Sequence, residues 1–317
     1  MAVMTPLDFA QRYFSLDAYI FTPEESAKPD YLLAEGWRKL KVVKYHISES
    51  SWFSTFWADI SNRLPQMVDV RVKTIDGNID DVSLTQGEAQ KHFYWPFLGK
   101  GTPEEAQIAI QLVYRYHKTH MPPELFVRQA GFIGLDCNGF VGSYIQRAVN
   151  NQSWRKAIKK QWSFGGAGTY IKTLFDGVVK SGGSEMTDLE GMKAEDTYIL
   201  ALCDEFNGTI KDPSPDQPTN YGHVMITEPN SMFPGVPSNS SSRALPLLSV
   251  PDRNSTGVFL RVVQASGPMG RGELHDSYYT LHSPSKKSQG TVFTLSAGTW
   301  SGRGVGGMKV RVARIKV

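Results

Sequence analysis

Cysteine is nearly absent from this 317-residue chain, which carries only Cys137 and Cys203. Two thiols make no disulfide framework, although counting alone leaves a single Cys137–Cys203 bridge open. Long apolar runs are missing too. No window approaches the roughly 18 consecutive apolar residues of a membrane span. The segment from Met1 to Arg12 has no basic stretch followed by an apolar one, so synthesis in the cytoplasm without a secretory signal is expected. Charge of one sign is also lacking. Lys and Arg total 34 against 31 Asp and Glu, a formal net charge of +3, and the basic residues are dispersed. That balance argues against a nucleic-acid partner, and the one basic cluster, Arg155, Lys156, Lys159 and Lys160, reads as a solvated helix face. Neither a serine-hydrolase elbow nor a phosphate-binding loop occurs, and no long-period repeat is visible. Gly302-Arg-Gly304-Val-Gly-Gly307 matches the dinucleotide fingerprint in letters only, since a strand rather than a helix follows it.

What is present suffices for a packed core: 40% of the chain is hydrophobic and 11% of it aromatic. Val68 to Ile75 alternates with period two, Asp76-Gly77 follows, and a second run reaches Leu84, which predicts a hairpin. The dense aromatics between Trp37 and Phe97 are expected to fill the core. Thr102-Pro103-Glu104-Glu105 combines a capping hydroxyl, a first-turn proline and first-turn acids, and predicts a helix to about Lys118. His117 and His120 lie three apart near its end with no third ligand in sight, and read as surface residues, so no metal site is expected. A further helix is predicted over 169–179. Cys203 ends the apolar run from Tyr198, a buried strand in which it reads as an inert core thiol. The stretch from Glu228 to Thr256 is rich in proline, serine and asparagine, and a connection of that length in a compact domain suggests a lid or specificity wall. Strands are expected from Gly257 to Gln264, from Thr291 to Leu295 and from Met308 onward.

The chemistry centres on Asp136-Cys137-Asn138-Gly139-Phe140. Apolar residues at Phe140, Val141, Tyr144, Ile145 and Ala148 trace one helix face, and Asp136 stands at the N-cap position. Cys137 then occupies the first turn, where the positive end of the helix dipole and unpaired N–H groups favour a thiolate. A cysteine nucleophile needs a base and a group that orients the base. His223 follows a glycine and opens a short apolar strand. Gln264 lies on the next strong strand, on one face with Val258, Leu260 and Val262. Its amide is expected to accept from the imidazole Nδ1–H, setting tautomer and ring orientation without adding charge.

These blocks resemble the NlpC-type cell-wall cysteine peptidases. That family places Asp-Cys-Ser-Gly-Phe at a helix start, then a strand entry, then Gly-His-Val-Gly-Ile, then a strand with a third polar residue. The matching segments are Asp136 to Phe140, Ala194 to Tyr198, Gly222 to Ile226 and Val262 to Ser266. Asn138 replaces the serine, Ala194-Glu195 replaces Pro-Gly, and Met225 replaces a glycine. Phe132-Ile133-Gly134 stands where the family has an aromatic-Gly-Gly stretch.

The resemblance implies an α+β fold: a papain-like core in which the nucleophile-bearing helix packs on an antiparallel β-sheet, with an N-terminal extension. The extension would cover 1–100, without an assigned role, and the catalytic domain 101–317, with the long loop at 228–256. It implies a thiol hydrolase of amide bonds in peptidoglycan stem peptides, with no cofactor and no metal. Cys137 would be nucleophile, His223 base and then acid, and Gln264 orienter. Asp136, Cys137 and Asn138 at the helix start would serve the oxyanion. Tyr94 is a candidate oxyanion donor, and His275 an alternative third residue. With no signal peptide, the resemblance suggests delivery to the periplasm or cell wall by a dedicated secretion machine or a lysis programme, as an antibacterial toxin with a delivery or immunity partner. Two other readings remain open: an acyltransferase on the same Cys–His core, and an inactive papain-like binding protein.

Overall fold

The structure, a computed structural model, describes residues 3–21, 35–44, 51–117, 121–129, 132–155, 171–212, 222–234, 257–266, 272–297 and 307–316. His120, the basic cluster beyond Arg155, residues 235–256 of the long connection and 302–306 of the glycine-rich stretch lie outside these. The chain divides into two compact units. One is Met1–Met4 with Asp8–Gln161 and Ala265–His275, and the other is Thr5–Leu7 with Trp162–Gln264 and Asp276–Val317.

The first unit is built from α1 (Pro6–Phe14), β1 (Leu16–Ile20), β2 (Gly36–Leu40), α2 (Ser51–Ser61), β3 (Met67–Lys73), β4 (Ile79–Thr85), α3 (Gln86–Phe97), α4 (Pro103–Leu112), α5 (Pro123–Phe126) and α6 (Cys137–Tyr144). The strands form a sheet in the order β2-β1-β3-β4. The predicted hairpin is β3–β4, antiparallel from Met67↔Thr85 to Lys73↔Ile79, with Gly77 at φ +88° in the connecting turn. Its alternation buries Val68, Val70 and Val72 on one face, which join Leu16, Ala18 and Ile20 of β1 in the core.

β3 meets β1 at the single pair Ala18↔Val72, so most of that edge must find hydrogen bonds elsewhere. Two glutamines one helical turn apart on α4 supply them. Gln107 accepts from Lys73 N–H at 2.7 Å and donates to Lys73 C=O at 2.7 Å. Gln111 does the same for Arg71, at 3.0 and 2.7 Å. The two amides thus stand in for a neighbouring strand.

α4 starts as predicted. Thr102 and Glu105 form a reciprocal capping box with Pro103 in the first turn, and the helix continues through a π turn, Val113–His117. All ten residues of α4 are buried. Phe56, Phe93 and Phe97 enter the core as expected, whereas Trp52 stays exposed. His117 is half-buried rather than a plain surface residue, with Nδ1 2.8 Å from Asp59 Oδ2. Among the described residues no cluster of three His, Cys, Asp or Glu is placed to hold a metal.

The second unit holds α7 (Ile171–Lys180), β5 (Ser184–Glu185), β6 (Tyr198–Leu202), β7 (Val224–Thr227), β8 (Phe233–Pro234), β9 (Gly257–Ala265), β10 (Leu274–Lys287), β11 (Gly290–Ala297) and β12 (Met308–Arg314). Strands follow the order β10-β11-β12-β6-β7-β9-β8, and β10 also pairs β9. Six strands therefore close into a ring, which leaves no open edge among them. Every second residue points into one cluster: Tyr198 and Leu200, Leu260 and Val262, Tyr279 and Leu281, Phe293 and Leu295, Val310 and Val312, with Met225. α7 packs on β6 and β12, and buries Ile171, Leu174, Phe175 and Val178. The start of the 228–256 connection is not structureless, since β8 pairs with β9 at Phe233↔Phe259 and Pro234↔Val258.

The fold is mixed α+β, with helices packed against antiparallel sheets. No helix among the described residues is long and apolar enough to cross a membrane.

Candidate active site

Cys137 is the first residue of α6 and is 4% exposed. Asp136 before it is extended (φ −94°, ψ 167°), and its side chain accepts from Gly139 N–H, as the capping reading requires. The other carboxylate oxygen pairs with Lys100 Nζ. Asp136 N–H donates to Gly99 C=O at 2.7 Å, and Leu135 N–H to Lys44 C=O at 2.9 Å. The loop after α3 therefore grips the first turn of α6 by backbone and by charge. Gly139 permits this grip: a Cβ there would come 2.7 Å from Lys100 Cα.

The far side of α6 is held by rings. Phe140 and Tyr144 lie 5.9 and 5.7 Å from Phe9 of α1, centroid to centroid, and Tyr13 lies 6.3 Å from Phe140. Arg147, in the π turn Ile145–Val149 that continues α6, pairs with Glu104 of α4, both buried. Asn138 is 2% exposed, and neither polar atom of its side chain has a hydrogen-bond partner among the described residues.

His223 stands one residue ahead of β7, and its backbone C=O accepts from Leu202 N–H at 2.9 Å. Its Nε2 lies 2.7 Å from Gln264 Oε1. The pairing of His223 with Gln264 is the one expected, but through the other ring nitrogen. Cross-strand geometry explains the difference. β7 and β9 pair antiparallel at Ile226↔Val263 and Thr227↔Val262, and His223 and Gln264 share the inward parity of Met225 and Val262. The imidazole reaches Gln264 diagonally between adjacent strands and presents its outer nitrogen. When neutral, a ring that donates from Nε2 carries its lone pair on Nδ1.

The amide is held from its other end. Gln264 Nε2 donates to the Tyr279 hydroxyl at 2.8 Å, and both side chains are buried. Tyr279 was not singled out from the sequence; its parity with Leu281 on an alternating strand was the available signal. Lys100 was missed as well, because it precedes Asp136 by 36 residues and carries no local motif.

The remaining candidates have other surroundings. Tyr94 of α3 packs edge-on against Phe53, centroids 4.7 Å apart. His275 is buried, with Nδ1 2.9 Å from Glu273 C=O and 3.4 Å from Ser266 Oγ. A carbonyl accepts only, so Nδ1 carries a proton there. Cys137 and His275 belong to the first unit, and His223, Gln264 and Tyr279 to the second. Neither cysteine is in a disulfide. Burial pushes the Cys203 thiol up to about 11, which suits an inert thiol. No protein-family model matches this chain, and neither a curated protein nor a solved structure does.

Proposed function

We propose that this chain is a thiol hydrolase of amide bonds on a papain-like core, with Cys137 as nucleophile, His223 as base and then acid, and Gln264 as orienter. The observation that carries the reading is the 2.7 Å contact between His223 Nε2 and Gln264 Oε1, an uncharged orienter on a histidine that opens a strand. The capped helix start at Cys137 also supports it, since N–H groups and dipole there favour a thiolate.

In this reading Nδ1 of His223 takes the thiol proton, and the sulfur adds to the scissile carbonyl carbon. The backbone N–H of Cys137 contributes to holding the oxyanion. Collapse expels the amine, which leaves with the proton from His223. Water, deprotonated by the same imidazole, then cleaves the thioester and restores the thiol. The substrate class proposed is the stem peptide of peptidoglycan, on the strength of the motif resemblance, and delivery to the cell wall belongs to the same proposal.

Digestion of purified muropeptides followed by mass spectrometry tests the reading. Wild type releases a new amine and a new carboxylate at one bond, and Cys137→Ala and His223→Ala do not. Cys137 is alkylated by iodoacetamide at pH 7 ahead of Cys203, whose thiol titrates at about 11. Equal cleavage by Cys137→Ala defeats the assignment.

A further inference from the structure

The core of the first unit takes one face of its four-stranded sheet, and the opposite face carries aromatic rings. Tyr19 of β1 and Trp37 of β2 are directly opposed in register, and Tyr19 has the outward parity to Leu16, Ala18 and Ile20. Both rings are part-exposed. They stand 5.3 Å apart at 80°, and Phe21 closes on Tyr19 at 4.9 Å and 66°. The Tyr19 hydroxyl donates to Glu35 at 2.6 Å, and the Arg71 guanidinium lies over the Tyr19 ring at 4.8 Å. Arg71 in turn meets both carboxylate oxygens of Asp81 on β4, at 2.6 and 3.2 Å. The face thus holds a corner of two rings beside a two-bonded ion pair, whose side chains are 37% and 64% exposed. Side chains fixed in this way have already lost rotamer freedom, which lowers the cost of binding a ligand.

Charge decides which ligand suits this face. At the outward strand positions Asp17, Asp69 and Asp81 balance Lys39, Arg71 and Lys73, and Lys73 Nζ lies 2.9 Å from Asp17 Oδ2. Single-stranded nucleic acid also stacks on aromatic rings, but it draws affinity from a surplus of cations. The described outward positions of these strands give no such surplus. An uncharged sugar needs none. The C–H groups on one side of a pyranose are apolar and weakly positive, and rest against the negative face of an aromatic ring. Its hydroxyls both donate and accept, so neighbouring ones satisfy a carboxylate and a guanidinium N–H together. We propose that this face binds a chain of uncharged sugars, with Trp37 as the stacking ring and the Arg71–Asp81 pair as the partner of the hydroxyls. The assignment goes beyond the thiol-hydrolase reading and does not require Cys137 to be reactive.

The experiment is titration of the full chain with chitohexaose, cellohexaose and, as the polyanion, a short oligothymidylate, followed by NMR of the indole N–H groups. At least one hexasaccharide shifts the Trp37 signal, which is identified by its loss in Trp37→Phe. Its affinity is the same at low and high salt, because no charge is neutralised. Binding of chitohexaose alone marks an N-acetylated strand as the ligand, and binding of both marks a general glucan face. Trp37→Ala weakens binding about 10-fold, as for the loss of one aromatic contact. Arg71→Met combined with Asp81→Asn leaves no unpaired charge behind and weakens binding about 3- to 10-fold. This double variant, at exposed positions, serves if Trp37→Ala does not fold, and unchanged affinity in it overturns the assignment of the pair. Absence of a Trp37 shift with either hexasaccharide overturns the proposal. So does salt-dependent binding of the oligothymidylate alone, or a self-association that Trp37→Ala abolishes in a chain that binds no sugar. Equal sugar binding by Cys137→Ala supports the sugar face whatever becomes of the hydrolase reading, and loss of sugar binding in that variant overturns it.

Discussion

Lys100 forms an ion pair with Asp136, and the same carboxylate caps the helix that Cys137 opens. Both side chains are nearly nine-tenths buried, at 11% and 12% exposed. A pair so shielded is costly to break from one side, because the remaining charge stays desolvated. Lys100→Met is expected to lower stability by about 2–4 kcal/mol in urea denaturation. Asp136→Ser removes the charge but retains a capping oxygen. The double variant should therefore be more stable than Lys100→Met alone. A loss below about 0.5 kcal/mol in Lys100→Met would place the pair among ordinary surface contacts.

Gly139 faces backbone that cannot move aside. A Cβ at this position would come 2.7 Å from Lys100 Cα and 2.9 Å from Asp136 Oδ1. Gly139→Ala gains a little from helix propensity but forces α6 away from the loop that holds it. A net loss of about 1–3 kcal/mol is expected, read as a lower thermal midpoint. By contrast nothing lies within 4 Å of a Cβ at Gly177 in α7, and Gly177→Ala is expected to be neutral or stabilising.

Gln107 and Gln111 complete the edge of β3, and their replacement should show it. Gln107→Leu keeps the volume and leaves the Lys73 N–H and C=O without the amide they now share. The expected cost is about 2–3 kcal/mol. Gln107→Glu keeps the acceptor and loses the donor, so it should fall between wild type and leucine. Hydrogen exchange at Lys73 N–H should accelerate in the leucine variant; an unchanged rate would count against the arrangement.

Glu105 supplies the pH dependence. Burial raises its carboxyl above the ordinary range, and hydrogen bonding and attraction to His92, 2.9 Å away, offset this only in part. Once pH exceeds about 4.3, the unfolded chain has released a proton that the folded protein still holds. Fewer protons on the unfolded state mean that stability falls as pH rises through this window, up to the raised folded value. Glu105→Gln retains a capping acceptor and does not titrate. The stability of wild type relative to Glu105→Gln should therefore decline from pH 4 upward. Urea midpoints measured for both proteins across pH 4 to 7 check this, and a relative stability that climbs with pH would reverse the assignment.

Much of the local structure was legible in particular residues. Thr102 with Glu105, Asp136 ahead of Cys137, and Asp76-Gly77 between alternating segments act within a few positions of one another, so their geometry is set by the backbone itself. The same holds for the inward parity of Leu260, Val262 and Gln264 on β9. That His223 and Gln264 make a pair was also readable, from their places on successive strong strands.

Which nitrogen of His223 meets Gln264, what holds the far end of that amide, and how β9 and β10 close the ring were decided by tertiary structure alone. So were the grip of Lys100 on Asp136 and the use of Gln107 and Gln111 as a substitute strand. Strand periodicity says which face a side chain occupies, because it repeats every two residues. Diagonal contacts, amide orientation and ion pairs between distant segments depend on register and on the approach of separate backbones, and no local pattern carries that information.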